Sequence, residues 1–170
     1  MRVEEVEESV VELLDELCML EELRMQRTLE PEEARRWVEL QRSLSRAMCE
    51  EGIPDERRAY LRVTTPLTVR VVSAGMTFDA TAIDLGAGGM GLKSDVLPTV
   101  HEKLQLAYAR TPSGEQFELG LPAAVVWVRK SQHELGAGFG VAFAPENRTQ
   151  DGFVAELLLS LLRREQAKRG

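Results

Sequence analysis

The sequence predicts a mainly β fold with flanking helices: a six-stranded antiparallel β-barrel, a C-terminal capping helix, and an α-helical hairpin at the N-terminus. Three observations lead there. Apolar residues in the first fifty positions recur at intervals of three and four, those from Leu67 onward recur in twos, and EEGIP at 50–54 closes the first pattern before the second opens. The expected organisation is a helical hairpin over 1–50, a linker with an arginine motif over 51–62, and the barrel with its C-terminal helix over 63–170.

Val3, Val6, Val10, Leu13, Leu17 and Leu20 form the seam of the first helix. Val11, Leu14, Cys18 and Met25 add a second apolar line, which implies two packing neighbours. Pro31, flanked by Glu30, Glu32 and Glu33, opens a second helix, because proline is tolerated in a first turn and acids suit the positive end of the helix dipole. Its seam is Ala34, Trp37, Leu40, Leu44 and Ala47. The short connection at 28–30 makes the pair an antiparallel hairpin with Cys18 near Leu40 and Cys49 near Ser9, so no internal disulfide is expected. The two seams carry more apolar surface than two helices bury in each other. The hairpin is therefore read as a coiled-coil-like oligomerisation module that makes the chain a homo-oligomer, with a structural cap on the next domain as the alternative.

In the second half, Leu67, Val69 and Val71 alternate with Thr68, Arg70 and Val72, a turn follows at 73–75, and Phe78, Ala80, Ala82 and Asp84 continue the alternation, which is a β-hairpin. Short strands at 90–93, 103–109, 117–128 and 139–143, separated by turn sequences such as TPSG and KSQHELGAG, bring the count to about six, as in an antiparallel barrel. Phe153, Val154, Leu157, Leu158, Leu161 and Leu162 form a one-sided helical stripe ending in a basic turn.

Composition excludes several functions. A chain of 170 residues, 44% hydrophobic and 29% charged, holds one domain and an appendage. It has no apolar run near the ~18–20 residues that span a bilayer, so no membrane insertion is expected. MRVEEVEES is not a secretory leader, which makes the expected address cytoplasmic and the two cysteines reduced. The net charge is −7, with 14 acids and 7 bases in the first fifty residues, and this lacks the clustered basic field that a nucleic-acid polymer requires. His101 and His133 have no second ligand at metal spacing. Ser94, Ser113, Ser131 and the thiols have no activating neighbour in sequence, so no catalytic residue is assigned and the chain is read as not an enzyme.

Two segments remain. In AIDLGAGGMGL, Gly86, Gly88 and Gly91 spell GxGxxG, but Gly91 runs into Leu92, Lys93, Ser94 and then Pro98, with no helix to receive a pyrophosphate. Gly88, Gly89 and Gly91 read instead as a tight strand connection needing positive φ. Asp84, at the strand end, suits either the N1–H and amino group of a guanine or a cap on its own turn. Arg57, Arg58 and Arg62 place three guanidinium forks at the barrel entry, able to bind phosphate and guanine O6 and N7, or else to pair with Asp55 and Glu56 in solvent.

Together, Arg58-x-x-x-Arg62 and Asp84-x-Gly86-x-x-Gly89 resemble the two signatures of the PilZ domain family, R-x-x-x-R and D/N-x-S-x-x-G, and the likeness runs on through AAVVWVRK and FGVAF, over about 55–143. The resemblance implies a bacterial cyclic di-GMP receptor that needs no other cofactor, with the nucleotide held between the arginine segment and the barrel surface. Arg58 and Arg62 would grip phosphate and guanine edges, with Arg57 helping, Asp84 would hold a Watson–Crick edge, and Gly89 would leave backbone room. The receptor would pass its signal to an unidentified downstream protein. Gly86 stands where the family has serine, and losing one neutral hydrogen bond weakens binding roughly 2- to 13-fold. Some PilZ-like domains lack the ligand motifs and act as protein adaptors, the alternative for this chain.

Overall fold

The computed structural model describes residues 3–48, 60–64, 66–131 and 136–169, with side chains from Val10 onward. The expected boundary at 50–54, Cys49, Arg57 and Arg58 lie outside the described residues. The elements are α1 (Val3–Gln26), α2 (Pro31–Ala47), β1 (Leu67–Ser73), β2 (Met76–Leu85), β3 (Gly89–Lys93), β4 (Lys103–Arg110), β5 (Gln116–Arg129), β6 (Gly138–Phe143) and α3 (Arg148–Arg169). They form two compact units, Met1–Arg62 with Ala155–Gly170, and Val63–Val154.

In the helical unit, α1 and α2 are antiparallel. Arg27, at the connection, pairs with Glu33 at 2.7 Å, and Glu21 with Trp37 and Glu16 with Arg36 at 2.6 Å join the helices farther along, so the short connection folds α2 back along α1. Pro31 sits in the first turn of α2, and Glu33 reaches back to accept the Glu30 N–H at 2.9 Å. The α1 seam differs from expectation. Leu14 is fully buried and Leu13 only half-buried, while Val11 and Met25 are exposed. The two apolar lines merge into one face, Val10, Leu14, Leu17, Cys18 and Glu21, because a straight helix drifts from a strict a/d repeat. A third helix meets α1: Gln166 of α3 accepts from Cys18 Sγ at 3.6 Å and donates to Asp15 at 3.4 Å, and Arg163 pairs with Glu22. α3 is also buried at Ala155 and Leu159, off the expected stripe, so its apolar surface is broader than one-sided. Cys18 is a free, buried thiol whose pKa burial pushes up to about 11.

The barrel closes in the order β1-β2-β3-β6-β5-β4, with every neighbouring pair antiparallel. The period of two dictates its interior: Leu67, Val69 and Val71 of β1, Leu104 and Leu106 of β4, and Leu119, Leu121 and Val125 of β5 point inward and are buried. Register shifts at Arg70/Val71, Ala82/Asp84, Leu106/Tyr108 and Val125/Trp127 bend the strands, which lets a short sheet curl shut. Val63 adds an isolated bridge to Leu85 at the end of β2. Among the described residues, no helix is long and apolar enough to cross a membrane.

Candidate functional site

The β2–β3 connection holds three of the expected site residues. Asp84 is the penultimate residue of β2, and its Oδ1 accepts the Gly91 N–H at 2.8 Å. The turn closes through the Gly86 N–H, which donates to the Gly89 carbonyl at 2.9 Å, and it is tied to β6 by Phe143 N–H donating to the Gly88 carbonyl at 2.9 Å. The glycines serve a different purpose from the one expected. Positive φ occurs at Gly75, Gly114, Gly120, Gly136 and His101, and not at Gly88, Gly89 or Gly91. Close approach is what excludes a side chain here: a Cβ on Gly89 would overlap the Val141 carbonyl oxygen of β6, and one on Gly91 would lie 2.8 Å from Asp84 Oδ1.

The register extends this geometry across four strands. Asp84 pairs with Gly91, Gly91 with Gly140, and Gly140 with Trp127, all in alternation opposite to the buried Met90, Leu92, Phe139 and Val141. The row therefore lies on the outer face. A Cβ on Gly140 would overlap the Trp127 indole nitrogen, so the indole rests on this glycine as the Asp84 carboxylate rests against Gly91. Gly91 and Gly140 stand on adjacent strands about 4.8 Å apart, so the acid and the aromatic ring cover neighbouring positions on this face. Arg129 continues the arrangement, its guanidinium 4.8 Å from the Trp127 ring centroid and its Nη2 3.3 Å from where a Gly138 Cβ would stand. Arg129 Nε is buried with no hydrogen-bond partner among the described residues, a costly placement that the stack on Trp127 helps to hold. An acceptor carboxylate beside an arginine–aromatic stack has the chemistry for a planar ring bearing N–H donors on one edge and oxygen or nitrogen acceptors on another. Sequence reasoning missed Gly91, Gly140, Trp127 and Arg129 as site residues. Their signal was the period-two phase, which puts Trp127 and Arg129 on the same face as Gly138 and Gly140.

Arg62 is half-buried and belongs to the helical unit, one residue before Val63. Val63 N–H donates to Leu85 O at 2.7 Å and Val63 O accepts from Leu85 N–H at 2.9 Å, so the chain enters the barrel beside the residue that follows Asp84. No group of three or more His, Cys, Asp and Glu among the described residues could hold a metal ion.

A family model described as PilZ domain matches residues 56–163, more than half of the chain. The chain belongs to the PilZ domain family. The match takes in Arg57 and Arg58 as well as the β2–β3 turn, so both signatures lie inside the PilZ domain, and the hairpin lies outside it. No curated protein matches the chain by sequence. Among solved structures, the inhibitor of motility MotI/DgrA of Bacillus subtilis is 22% identical with a TM-score of 0.52, the match covering 70% of this chain and 56% of that one. YcgR of Escherichia coli, solved in complex with c-di-GMP, is 19% identical with a TM-score of 0.50, covering 66% of this chain and 49% of that one. MrkH of K. pneumonia, in its apo state, is 13% identical with a TM-score of 0.53, covering 68% and 56%. The chain thus spans about half the length of these proteins, and at such identities the likeness is one of fold.

Proposed function

We propose that this PilZ protein is a non-enzymatic receptor for cyclic di-GMP, in which nucleotide binding changes the surface offered to a second copy or to a downstream protein. The observation that carries the reading is the Asp84–Gly91–Gly140–Trp127 row, which sets an acceptor carboxylate beside an aromatic ring and a guanidinium within a chain that also bears the arginine signature. In this reading Asp84 accepts from the guanine N1–H and amino group, Arg58 and Arg62 with Arg57 take phosphate oxygens and the O6/N7 edge, and Gly86 and Gly89 shape the turn. The complex of YcgR with c-di-GMP supports it by fold.

Calorimetric titration of the full chain with cyclic di-GMP tests the proposal. Arg58→Ala and Arg62→Ala should each weaken binding by about 1.5–3 kcal/mol, at least tenfold, the range for hydrogen bonds to charged groups. No heat and no rise in melting temperature at high nucleotide concentration would leave the adaptor reading, which Gly86 in the serine position favours. The proposed route of coupling is homo-oligomerisation through residues 1–50. It is supported by Met19, Val11 and Met25 of α1, which stay exposed although Val10, Leu14, Leu17 and Leu20 are covered within the chain. Light scattering of the intact chain at micromolar concentration decides that part, and a monomer would end it.

A further inference from the structure

The hairpin carries a polar network that apolar packing alone does not need. Glu21 is wholly buried, both of its oxygens bonded by Arg24 Nη1 at 2.8 and 2.6 Å, and its Oε1 accepts Trp37 Nε1–H at 2.5 Å. The Arg24 guanidinium lies 4.7 Å from the Trp37 ring centroid. One turn on, Gln41 is buried at 3% exposure. Trp37 and Gln41 share a face of α2, being four residues apart. They receive two consecutive residues from the entry to the barrel: the Tyr60 ring stands 5.5 Å from the Trp37 ring at 51°, and Leu61 N–H donates to Gln41 Oε1 at 2.8 Å. A buried amide and carboxylate cost free energy unless paired, and apolar side chains would pack such a hairpin at least as well. What the polar groups add is orientation: they fix one indole and one carbonyl oxygen toward the segment 60–61.

The next residue is Arg62. Behind it, Leu61 is held by α2, and ahead of it Val63 is bonded to Leu85 of β2. We propose that Trp37 and Gln41 are positioning residues for Arg62, so that the hairpin sets the affinity of the receptor by ordering the backbone from which this arginine reaches its ligand. The effect on affinity rests on the cyclic di-GMP reading. Ordering the segment in advance removes a conformational cost that binding would otherwise bear. By linkage, any partner that displaces α2 from the segment lowers nucleotide affinity, and bound nucleotide resists that displacement to the same extent.

Tyr60→Ala and Gln41→Leu in the full chain test this, read by hydrogen exchange of amides 61–63 and by cyclic di-GMP titration. Tyr60 is 37% exposed, so its truncation leaves the core closed should Gln41→Leu fail to fold. Both variants should speed exchange at 61–63 and weaken nucleotide binding about fivefold, the worth of an aromatic pair, and Tyr60→Phe should restore most of the loss. In an Arg62→Ala background Tyr60→Ala should cost nothing further, because the residue acts through Arg62. An affinity unchanged in both variants, or an undiminished loss in the Arg62→Ala background, overturns the proposal and leaves the receptor reading standing. A wild-type chain that binds no cyclic di-GMP overturns the receptor reading instead. Exchange then decides the positioning by itself: faster exchange at 61–63 supports it and unchanged protection overturns it.

Discussion

In the helical unit the buried polar side chains Glu21 and Gln41 bond across elements, to Trp37 on the neighbouring helix and to Leu61 on the entry segment. In the barrel unit the buried polar side chains among the described residues, Ser94 and Thr111, bond within their own turns, to Val96 and to Glu115. The barrel strands are matched by backbone pairing and by shape, above all where Gly89, Gly138 and Gly140 let β3, β5 and β6 close on one another. Helices have satisfied backbones and can slide or rotate against one another, so polar bonds between side chains select one arrangement. Strands already have a register, and what remains to be selected is how closely side chains and carbonyls may approach.

The comparison is broken most severely by adding one methyl group to the barrel. Gly89→Ala should destabilise it by about 3 kcal/mol or more, since overpacking against a fixed backbone carbonyl lies at the upper end of such costs, and a fall in the urea midpoint reads it. Gly140→Ala meets an indole that can turn aside, and should cost about 1–2 kcal/mol. Equal midpoints for Gly89→Ala and wild type would mean that β3 and β6 are not held as closely as the pairing requires.

The matching cut in the helical unit is smaller. Glu21→Ala removes the acceptor of both Trp37 Nε1–H and Arg24, and should cost about 2–3 kcal/mol, the range for charged hydrogen bonds whose partner stays buried. Glu21→Gln keeps an acceptor for the indole and should recover part of that loss. If Glu21→Gln were as damaging as Glu21→Ala, the charge on Arg24 rather than the indole bond would be the dominant contribution.

The same contrast explains what was legible in the sequence. All six strands lie within about two residues of their expected positions, because alternation of side chains across a half-buried strand is a local signal that β1 and β5 display with few exceptions. The hairpin was legible for the same reason at period 3.6. The cross-strand row was not, since nothing in the local pattern of β3 or β6 says that Gly91 faces Gly140 and that Gly140 seats Trp127. Asp84 and Gly89 were found through the spacing of a motif, and the reason for the glycines, close approach and not backbone sign, became readable only with β6 in place. Glu21 and Gln41 belong to none of the apolar seams read from the sequence. Their role depends on Trp37 and Leu61, which are 16 and 20 residues away. An apolar stripe names no partner, so the bonding of α3 to α1 could not be foreseen from Leu157 or Leu161.

The smallest expected effect is acid sensitivity of the hairpin. The Arg27 guanidinium, and after it the Glu30 N–H, hold the Glu33 carboxyl down at about 2 from an ordinary 4.5. Arg36 lowers Glu16 in the same sense through its side-chain hydrogen bonds. A carboxyl depressed in the folded state adds stability in full above its unfolded value. As the pH falls from about 4.5 towards 2, the unfolded chain takes up the proton first, the equilibrium moves towards unfolding, and the contribution is gone below the folded value. Both pairs are solvent-exposed, so the effect should be modest and should shrink in high salt. Urea midpoints at pH 6 and pH 3 measure it: the wild type should lose more stability over that interval than Glu33→Gln, and the gap should narrow in salt. An identical pH dependence in the two proteins would show that the Arg27–Glu33 pair contributes nothing, and would leave the buried Glu21 network, with the apolar faces around it, as what holds α2 against α1.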